Sequence, residues 1–488
     1  MRNGSPDGTL RAGAARSDIT TRRKGIAIDD PLLAKALVLD DGETRLAIIA
    51  LDALAVGGIG DIRDDFLPKL RRRIERELGI PGRNVLVNAS HTHPPGRLLC
   101  SDAEQIERTF DAVRRAARSL TPVTSGVGAA HEDRLTINRT LRLKNGLHWT
   151  IRHANPCPPD EDVAALGPID PEIGLLRFNR LDGSTLAVLW NFACHPLFGN
   201  PRGAITANYP GVASRLIEES LGPDATALFL QGAGGDVVDL HFKDFSRVRD
   251  VRPMGTTLGL DVLKALRRIR TGPARLKVLS ETVQLPRRTD IPRRIAALEN
   301  EQAALLDALS TTTLNFKSFL PLYLKHALDP DHPADYSYRY LRNASTRAED
   351  LSAMDALTRR HVDKYLRSIR IMERLARIRE RVTTFRFHQA LNDRARSRTV
   401  TAEVMGVRIG DCTLITCPAE ALAQIGLNVK AASPHEHTFM SAFTNGYVHY
   451  GAPADDYDKG GYEVTECFLA PQWQRIYERT AARILRDL

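Results

Sequence analysis

Five short runs of apolar and β-branched residues set the tightest limit on what this chain can fold into: RLAIIAL from Arg45, RNVLVNA from Arg83, STLAVLWNF from Ser184, TALFLQ from Thr226 and CTLITC from Cys412. Each is too short for a buried helix and is bounded by polar, Gly or Pro residues, the pattern of a strand covered on both faces. Helical periods alternate with them. In FLPKLRRRIERELG, Phe66, Leu70, Ile74 and Leu78 recur every four residues, and Gly79 supplies a left-handed stop. Strands alternating with amphipathic helices predict an α/β fold, a mixed-sheet core with flanking helices.

The texture changes between residues 287 and 396, where long charged helix-forming sequence carries few strand signals. Ile295, Leu298, Leu305, Leu306 and Leu309 form one apolar stripe, and Val362, Tyr365, Ile369 and Met372 form another. The segment SFLPLYLKHALDPDHPADYSYRY between them, rich in proline and aromatic residues, reads as irregular. We therefore expect one α/β domain built from 1–286 and 397–488, interrupted by a helical insertion over 287–396. The chain closes on an amphipathic helix, PQWQRIYERTAARILRDL.

Composition excludes several classes. Of 488 residues, 43% are hydrophobic and 26% charged, an ordinary balance for a folded protein and not that of a disordered one. The net charge of +9 is spread over many Arg-rich helices, aromatics total only 6%, and there is no Cys/His finger spacing, so nucleic-acid binding is not expected. The longest apolar stretch, RLAIIALDALAV, is broken by Asp52 and is shorter than the ~20 residues of a membrane span, so no transmembrane segment is expected. The opening MRNGSPDGTLRAGAARSD lacks the apolar core of a signal peptide, and the six cysteines include no CxxC pair; both suit a cytoplasmic protein with reduced thiols.

Polar residues follow the strands in a consistent way. RNVLVNAS runs into His91 and His93, STLAVLWNFAC into His195, CTLITCPA into Glu420, and TALFLQGAGG into Asp236. In α/β sheets, ligand sites lie beyond the carboxyl ends of strands, so these side chains are placed to converge. Two histidines and one carboxylate meet the usual count of protein ligands for a hydrolytic zinc. His91 and His93, two apart, face the same side if the chain there is extended. Taken singly, His195 reads as a hydrogen-bonded core histidine and Glu420 as a helix-capping carboxylate; taken together, the metal reading is the better one. The Gly-rich turn LQGAGGDVVDL lacks the Lys-Ser/Thr of a phosphate loop, so no nucleotide is expected. Cys194 precedes His195 and should point the opposite way, into the core, which leaves a thiol enzyme a minor alternative.

As an ordered set these motifs resemble the neutral ceramidase family, the neutral/alkaline non-lysosomal amidases. AGAARSDIT followed by LAKALVLDDGETRLAIIALDALAV is similar to the family's amino-terminal pattern, NASHTHPPG to its His-Thr-His segment, NFACHP to its second histidine segment, CPAE to its Pro-x-Glu segment, and TNGYVHY with GGYE to its tyrosine segment. The resemblance spans roughly residues 10–285 and 397–488. It implies one zinc per chain, held by His91, His195, Glu420 and the hydroxyl of Tyr450, with His93 and Tyr462 near the substrate carbonyl and Arg139 facing the site; Asp52, just after its strand, either stands behind these residues or caps the following turn. Where the family carries Gly-Asp-x-Ser-Pro-Asn, this chain has Gly235, Asp236, Val237, Val238, Asp239 and Leu240, so Val238 stands in the place of the family's active-site serine, and Pro94 replaces a second serine. The family's carboxy-terminal β domain has no counterpart before Leu488.

The expected activity is hydrolysis of a linear, non-peptide amide by metal-activated water, on a small-molecule substrate other than ceramide. Zinc acidifies its water and polarises a carbonyl. His93 or Tyr462 would stabilise the oxyanion, and His93, Tyr462 or Asp236 would protonate the leaving amine. Arg139 alternatively grips an anionic group of the substrate. An esterase or lactonase, or a non-catalytic relative using the metal as a staple, are the competing readings, and a homo-oligomer is left open.

Overall fold

The computed structural model describes residues 9–93, 98–152, 157–197, 204–244, 246, 248–348 and 350–488. The chain divides into two compact units, one formed by 1–288 and 395–488 and the other by 289–394.

In the first unit the strands are β1 (Arg11–Asp18), β2 (Leu33–Asp40) and β3 (Arg45–Leu51), then helix α1 (Phe66–Leu78), β4 (Val85–Ala89), α2 (Asp102–Arg118), β5 (Thr121–His131), β6 (Thr136–Asn138), β7 (Thr140–Leu143), β8 (His148–Thr150), β9 (Val163–Leu166), β10 (Glu172–Arg180), β11 (Thr185–Phe192), α3 (Asn208–Leu221), β12 (Thr226–Gln231), β13 (Val237–Asp239), α4 (Arg252–Leu266) and β14 (Leu276–Pro286). An eight-stranded sheet runs β12-β11-β10-β5-β1-β2-β3-β4, mostly antiparallel, with the β11–β12 and β3–β4 pairs parallel.

The period of two along these strands sorts their side chains between two cores. Leu46, Ile48 and Ala50 of β3 join one cluster, while Ala47, Ile49 and Leu51 join another under α1 and α2. In β11, Leu189 faces the first cluster and Val188, Trp190 and Phe192 pack under α3 and α4. This double coverage is why the five apolar runs lack polar alternation. Helix α1 buries Phe66, Leu70 and Ile74 and stops at Gly79, whose φ of 68° is the left-handed cap that the sequence predicts.

The second unit contains α5 (Ile291–Ala308), α6 (Phe316–Leu328), α7 (Ser337–Ser345) and α8 (Asp350–Arg394). Its core is Ile291, Leu298, Ile378, Val382 and Phe385. Leu306, Leu309 and Met372, expected in the stripes, are instead exposed: Leu306 and Leu309 fall at the end of α5, past the buried Ile291 and Leu298, and Met372 lies on the 45-residue α8, which offers more surface than its short partners cover. The segment expected to be irregular is largely helical. Asn315 and Ser318 form a capping box at the start of α6, and Phe319 stacks on Tyr323 and Tyr365, which holds the helix together around Pro321.

The chain then returns to the first unit with β15 (Thr399–Ile409), β16 (Cys412–Thr416), β17 (Glu420–Ala421), α9 (Ala423–Ala431), β18 (His437–Ser441), β19 (Tyr450–Gly451), α10 (Tyr462–Glu466) and α11 (Trp473–Asp487). A second sheet, β14-β15-β16-β18, stacks on the first through Met405, Val407, Leu414 and Phe439, and α9 and α11 cover its other face. The carboxyl ends of strands from both sheets are tied together. Gln231 N donates to Asn88 Oδ1 at 3.0 Å, Asn88 Nδ2 to Ala442 O at 2.6 Å, and Gly235 N to Ala421 O at 2.9 Å. Segments following β4, β11, β12, β16 and β18 therefore meet at one place, although β4 and β12 are at opposite ends of the strand order. Among the described residues no helix is long and apolar enough to cross a membrane.

Candidate metal centre

His91 follows β4 with a φ of 64°, a left-handed conformation unusual for a side-chain-bearing residue. The chain there is turned and not extended, so the spacing argument for His91 and His93 fails in its premise. The two rings nonetheless meet, with their Nε2 atoms 2.8 Å apart. Two bonds hold His91 in its turn: His91 N donates to Ala53 O at 2.8 Å, and Nδ1 lies 2.7 Å from Leu54 O. His195 is held in the same manner, its N donating to Val237 O and its Nδ1 lying 2.6 Å from Gly234 O.

A backbone carbonyl accepts only from a protonated nitrogen, so both rings carry a proton on Nδ1 and turn Nε2 inward. Between them stands Glu420, on the short parallel pair of β17 with β19, which also sets Glu420 beside Tyr450 in register. Its Oε2 is 3.3 Å from His91 Nε2 and 3.2 Å from His195 Nε2. The donor atoms of His91, His93 and His195 all lie within 4.8 Å of one another. His91, His195 and Glu420 are buried. Burial, aided by the Arg139 charge, lowers the His195 imidazole to about 4 and keeps it neutral. Burial alone would raise Glu420, but the imidazoles of His91 and His195 hold its carboxyl well below the usual range. Two imidazole Nε2 atoms and a carboxylate oxygen thus face one another.

Tyr450 OH lies 3.5 Å from His195 Nε2 and accepts from Arg139 Nη2 at 2.9 Å. Arg139 Nε donates to Glu463 Oε1 at 2.7 Å, and its Nη2 also reaches Gly235 O at 3.0 Å. These bonds commit the guanidinium inside the protein, which counts against the alternative in which it grips a substrate anion. Tyr462 completes this wall, its ring 5.6 Å from that of Tyr450 and under the Arg152 guanidinium at 3.7 Å. Burial raises the Tyr462 phenol above its usual range, so it stays protonated and can donate. His93 is exposed by surface area while protein atoms crowd its ring, and that crowding lowers its pKa well below 6.5.

The structure brings His91, His93, His195, Glu420, Tyr450, Arg139 and Tyr462 together. Asp236 sits behind them with both oxygens engaged: Oδ1 accepts from Ala423 N at 2.8 Å and Oδ2 from Asn138 Nδ2 at 2.7 Å. The capping role that the sequence offered for Glu420 thus belongs to Asp236, which caps α9. Asp52 accepts from Leu33 N at 2.9 Å and lines a cavity of about 320 Å³ with Lys35 and Glu218. Val238 is buried in β13 opposite Ile137, and Cys194 lies in the core under α3, where burial pushes its thiol up and makes it a poor nucleophile. Pro94 lies outside the described residues. Two residues were not singled out from sequence. Tyr447 donates from its OH to Glu420 Oε1, and Glu463 is the buried partner of Arg139. Both adjoin residues that were, in TNGYVHY and GGYE, but nothing in those strings says which tyrosine or carboxylate turns inward.

A mixed two-sheet α/β fold with a histidine and carboxylate cluster at the carboxyl ends of its strands is the class defined by these observations. No protein-family model matches the sequence, and no curated protein matches it. Solved structures do. A neutral ceramidase from Pseudomonas aeruginosa superposes with a TM-score of 0.62 at 17% identity, over 98% of this chain and 74% of its own. A ceramidase complexed with C2 superposes with a TM-score of 0.63 at 16% identity, over 99% of this chain and 76% of its own. The chain has a neutral ceramidase-like fold.

Proposed function

We propose that this protein is a zinc-dependent hydrolase of a linear, non-peptide amide, with His91, His195, Glu420 and Tyr450 as the residues that hold one zinc ion. The observation that carries the reading is the placement of Glu420 Oε2 at 3.2 and 3.3 Å from two imidazole nitrogens whose protons are on the far side of their rings. Atoms bound to a tetrahedral zinc at about 2.0–2.2 Å lie roughly 3.3–3.5 Å apart. The donor set is also of the kind that ligates zinc, imidazole nitrogen and carboxylate oxygen. A bound zinc would supply Lewis acidity, polarising a carbonyl and acidifying a water molecule.

The chain's own groups supply the rest. The carbonyls of Leu54 and Gly234 fix the imidazole tautomers. Arg139, neutralised by Glu463, donates to the Tyr450 oxygen and holds it in place. His93 and Tyr462 are the proton carriers beside the centre: each can donate to a developing oxyanion, and either can pass a proton to a leaving amine. Val238 offers no hydroxyl, which favours attack by water over a serine nucleophile and a substrate other than the ceramide for which the fold neighbours are named.

Metal analysis of protein purified without added zinc, together with assay on matched amide and ester substrates, tests the proposal. The expected result is about one zinc per chain, lost in His195→Ala, and turnover of the amide. Less than about a tenth of an equivalent, unchanged by His195→Ala, overturns it.

A further inference from the structure

We infer that the glycine-rich loop from Leu54 to Gly60 is the positioning device of the centre, acting on His91 directly and on Glu420 through Tyr447. The inference rests on the reading of His91, His195 and Glu420 as metal ligands. Those residues come from segments far apart in sequence, and the loop touches supports of two of them. At its start, Leu54 O accepts from His91 Nδ1 at 2.7 Å. At its middle, Gly58 abuts Tyr447: a methyl group added there would fall 2.7 Å from Tyr447 Cδ1 and 3.2 Å from its Cβ.

Tyr447 converts that contact into a constraint on the carboxylate. Its hydroxyl donates to Glu420 Oε1, the oxygen turned away from the imidazoles, which leaves Oε2 for the cluster. A carboxylate bonded on one oxygen loses the freedom to rotate about its own axis, and that is the ordering a metal would otherwise have to impose. The loop is tied down by its own hydrogen bonds. Gly57, Gly58 and Gly60 have φ of 86°, 72° and 77°, and Gly58 N is anchored on Asp64 Oδ1 at 2.7 Å. Asp61 then fastens the loop to Leu98 N and Leu99 N at 2.6 and 2.9 Å. Alanine at Gly58 would carry both a backbone penalty and a collision with Tyr447.

Zinc affinity, measured on the full chain by competition with a chromophoric chelator, separates this role from folding. Tyr447→Phe keeps the ring and removes only the oxygen; its metal-free form should melt with the wild type while its zinc affinity falls about 10- to 100-fold. Gly58→Ala should lose affinity to a similar extent. The two changes together should be no worse than the stronger one alone, because both act through one hydrogen bond. Tyr447→Phe binding zinc within about twofold of wild type overturns the inference, as does a double variant whose losses multiply. A wild-type chain that takes up no zinc removes the reading of the centre and the inference with it, whereas normal uptake by wild type and Tyr447→Phe alike removes the inference alone.

Discussion

Arg139 and Glu463 form a buried ion pair, Nε to Oε1 at 2.7 Å, with only 4% and 2% of their side chains exposed. Thr150 Oγ1 at 2.6 Å and Thr140 Oγ1 at 3.2 Å donate to the other Glu463 oxygen, so the carboxylate is fully satisfied without water. Such a pair adds little net stability, but breaking it strands a charge. Glu463→Ala should cost about 3–5 kcal/mol in denaturant unfolding, and Arg139→Met with Glu463→Leu should cost less than that single change. Equal losses would mean the charges are already solvated.

The stacking of the two sheets can be tested at Gly174. A Cβ there would lie 2.4 Å from Cδ1 of Phe439, inside the ring's van der Waals surface and in the middle of a core strand. Gly174→Ala should therefore destabilise by about 1–3 kcal/mol despite the helpful loss of backbone freedom, and Phe439→Leu should recover part of it. Additive penalties in the double variant would argue against the contact.

Asp236 makes stability depend on pH. Burial, outweighing the bonds from Ala423 and Asn138, raises its carboxyl from 3.8 to about 6. Below the unfolded value both states are protonated and the contribution is fully present. As pH rises from about 4 to 6 the unfolded chain ionises while the native one holds its proton, so native stability falls, by roughly 2–3 kcal/mol over the window. In chelator-treated protein, Asp236→Asn should flatten the curve of unfolding free energy between pH 4 and 6 relative to wild type, whatever its absolute level. Parallel curves would place the carboxyl outside the titrating window.

The framework was legible because buried strands and amphipathic helices write themselves into the sequence. RLAIIAL, TALFLQ and FLPKLRRRIEREL appear as β3, β12 and α1 with nearly the expected ends. The clustering of His91, His195 and Glu420 was visible for a second reason: each follows a strand closely, so position alone placed them at one end of the sheets. Conformation at single residues was not visible. The left-handed turn at His91 is fixed by Ala53 and Leu54, residues 38 and 37 positions away, and no local pattern encodes such a bond. The same holds for α6, where Pro321 and several aromatic residues read as a loop until Tyr365, from α8, supplies the stacking that a local reading lacks.

His93 and His195 should separate chemistry from metal binding. His93 shares the cluster with His91 and His195, so a three-histidine ligand set is the obvious competitor to the one proposed. Distance argues against it. The 2.8 Å between the Nε2 atoms of His93 and His91 is a hydrogen bond, shorter than the roughly 3.3 Å separating two nitrogens on one zinc. His93 is also exposed by surface area, as a group exchanging protons with substrate must be. His93→Ala should accordingly keep its zinc and lose turnover by about 100-fold or more, with the loss in kcat. His195→Ala should lose both metal and turnover, because it removes a donor and the group facing Glu420 Oε2. If His93→Ala instead lost its zinc along with its activity, His93 would be a ligand, and the proton would have to move through Tyr462 alone.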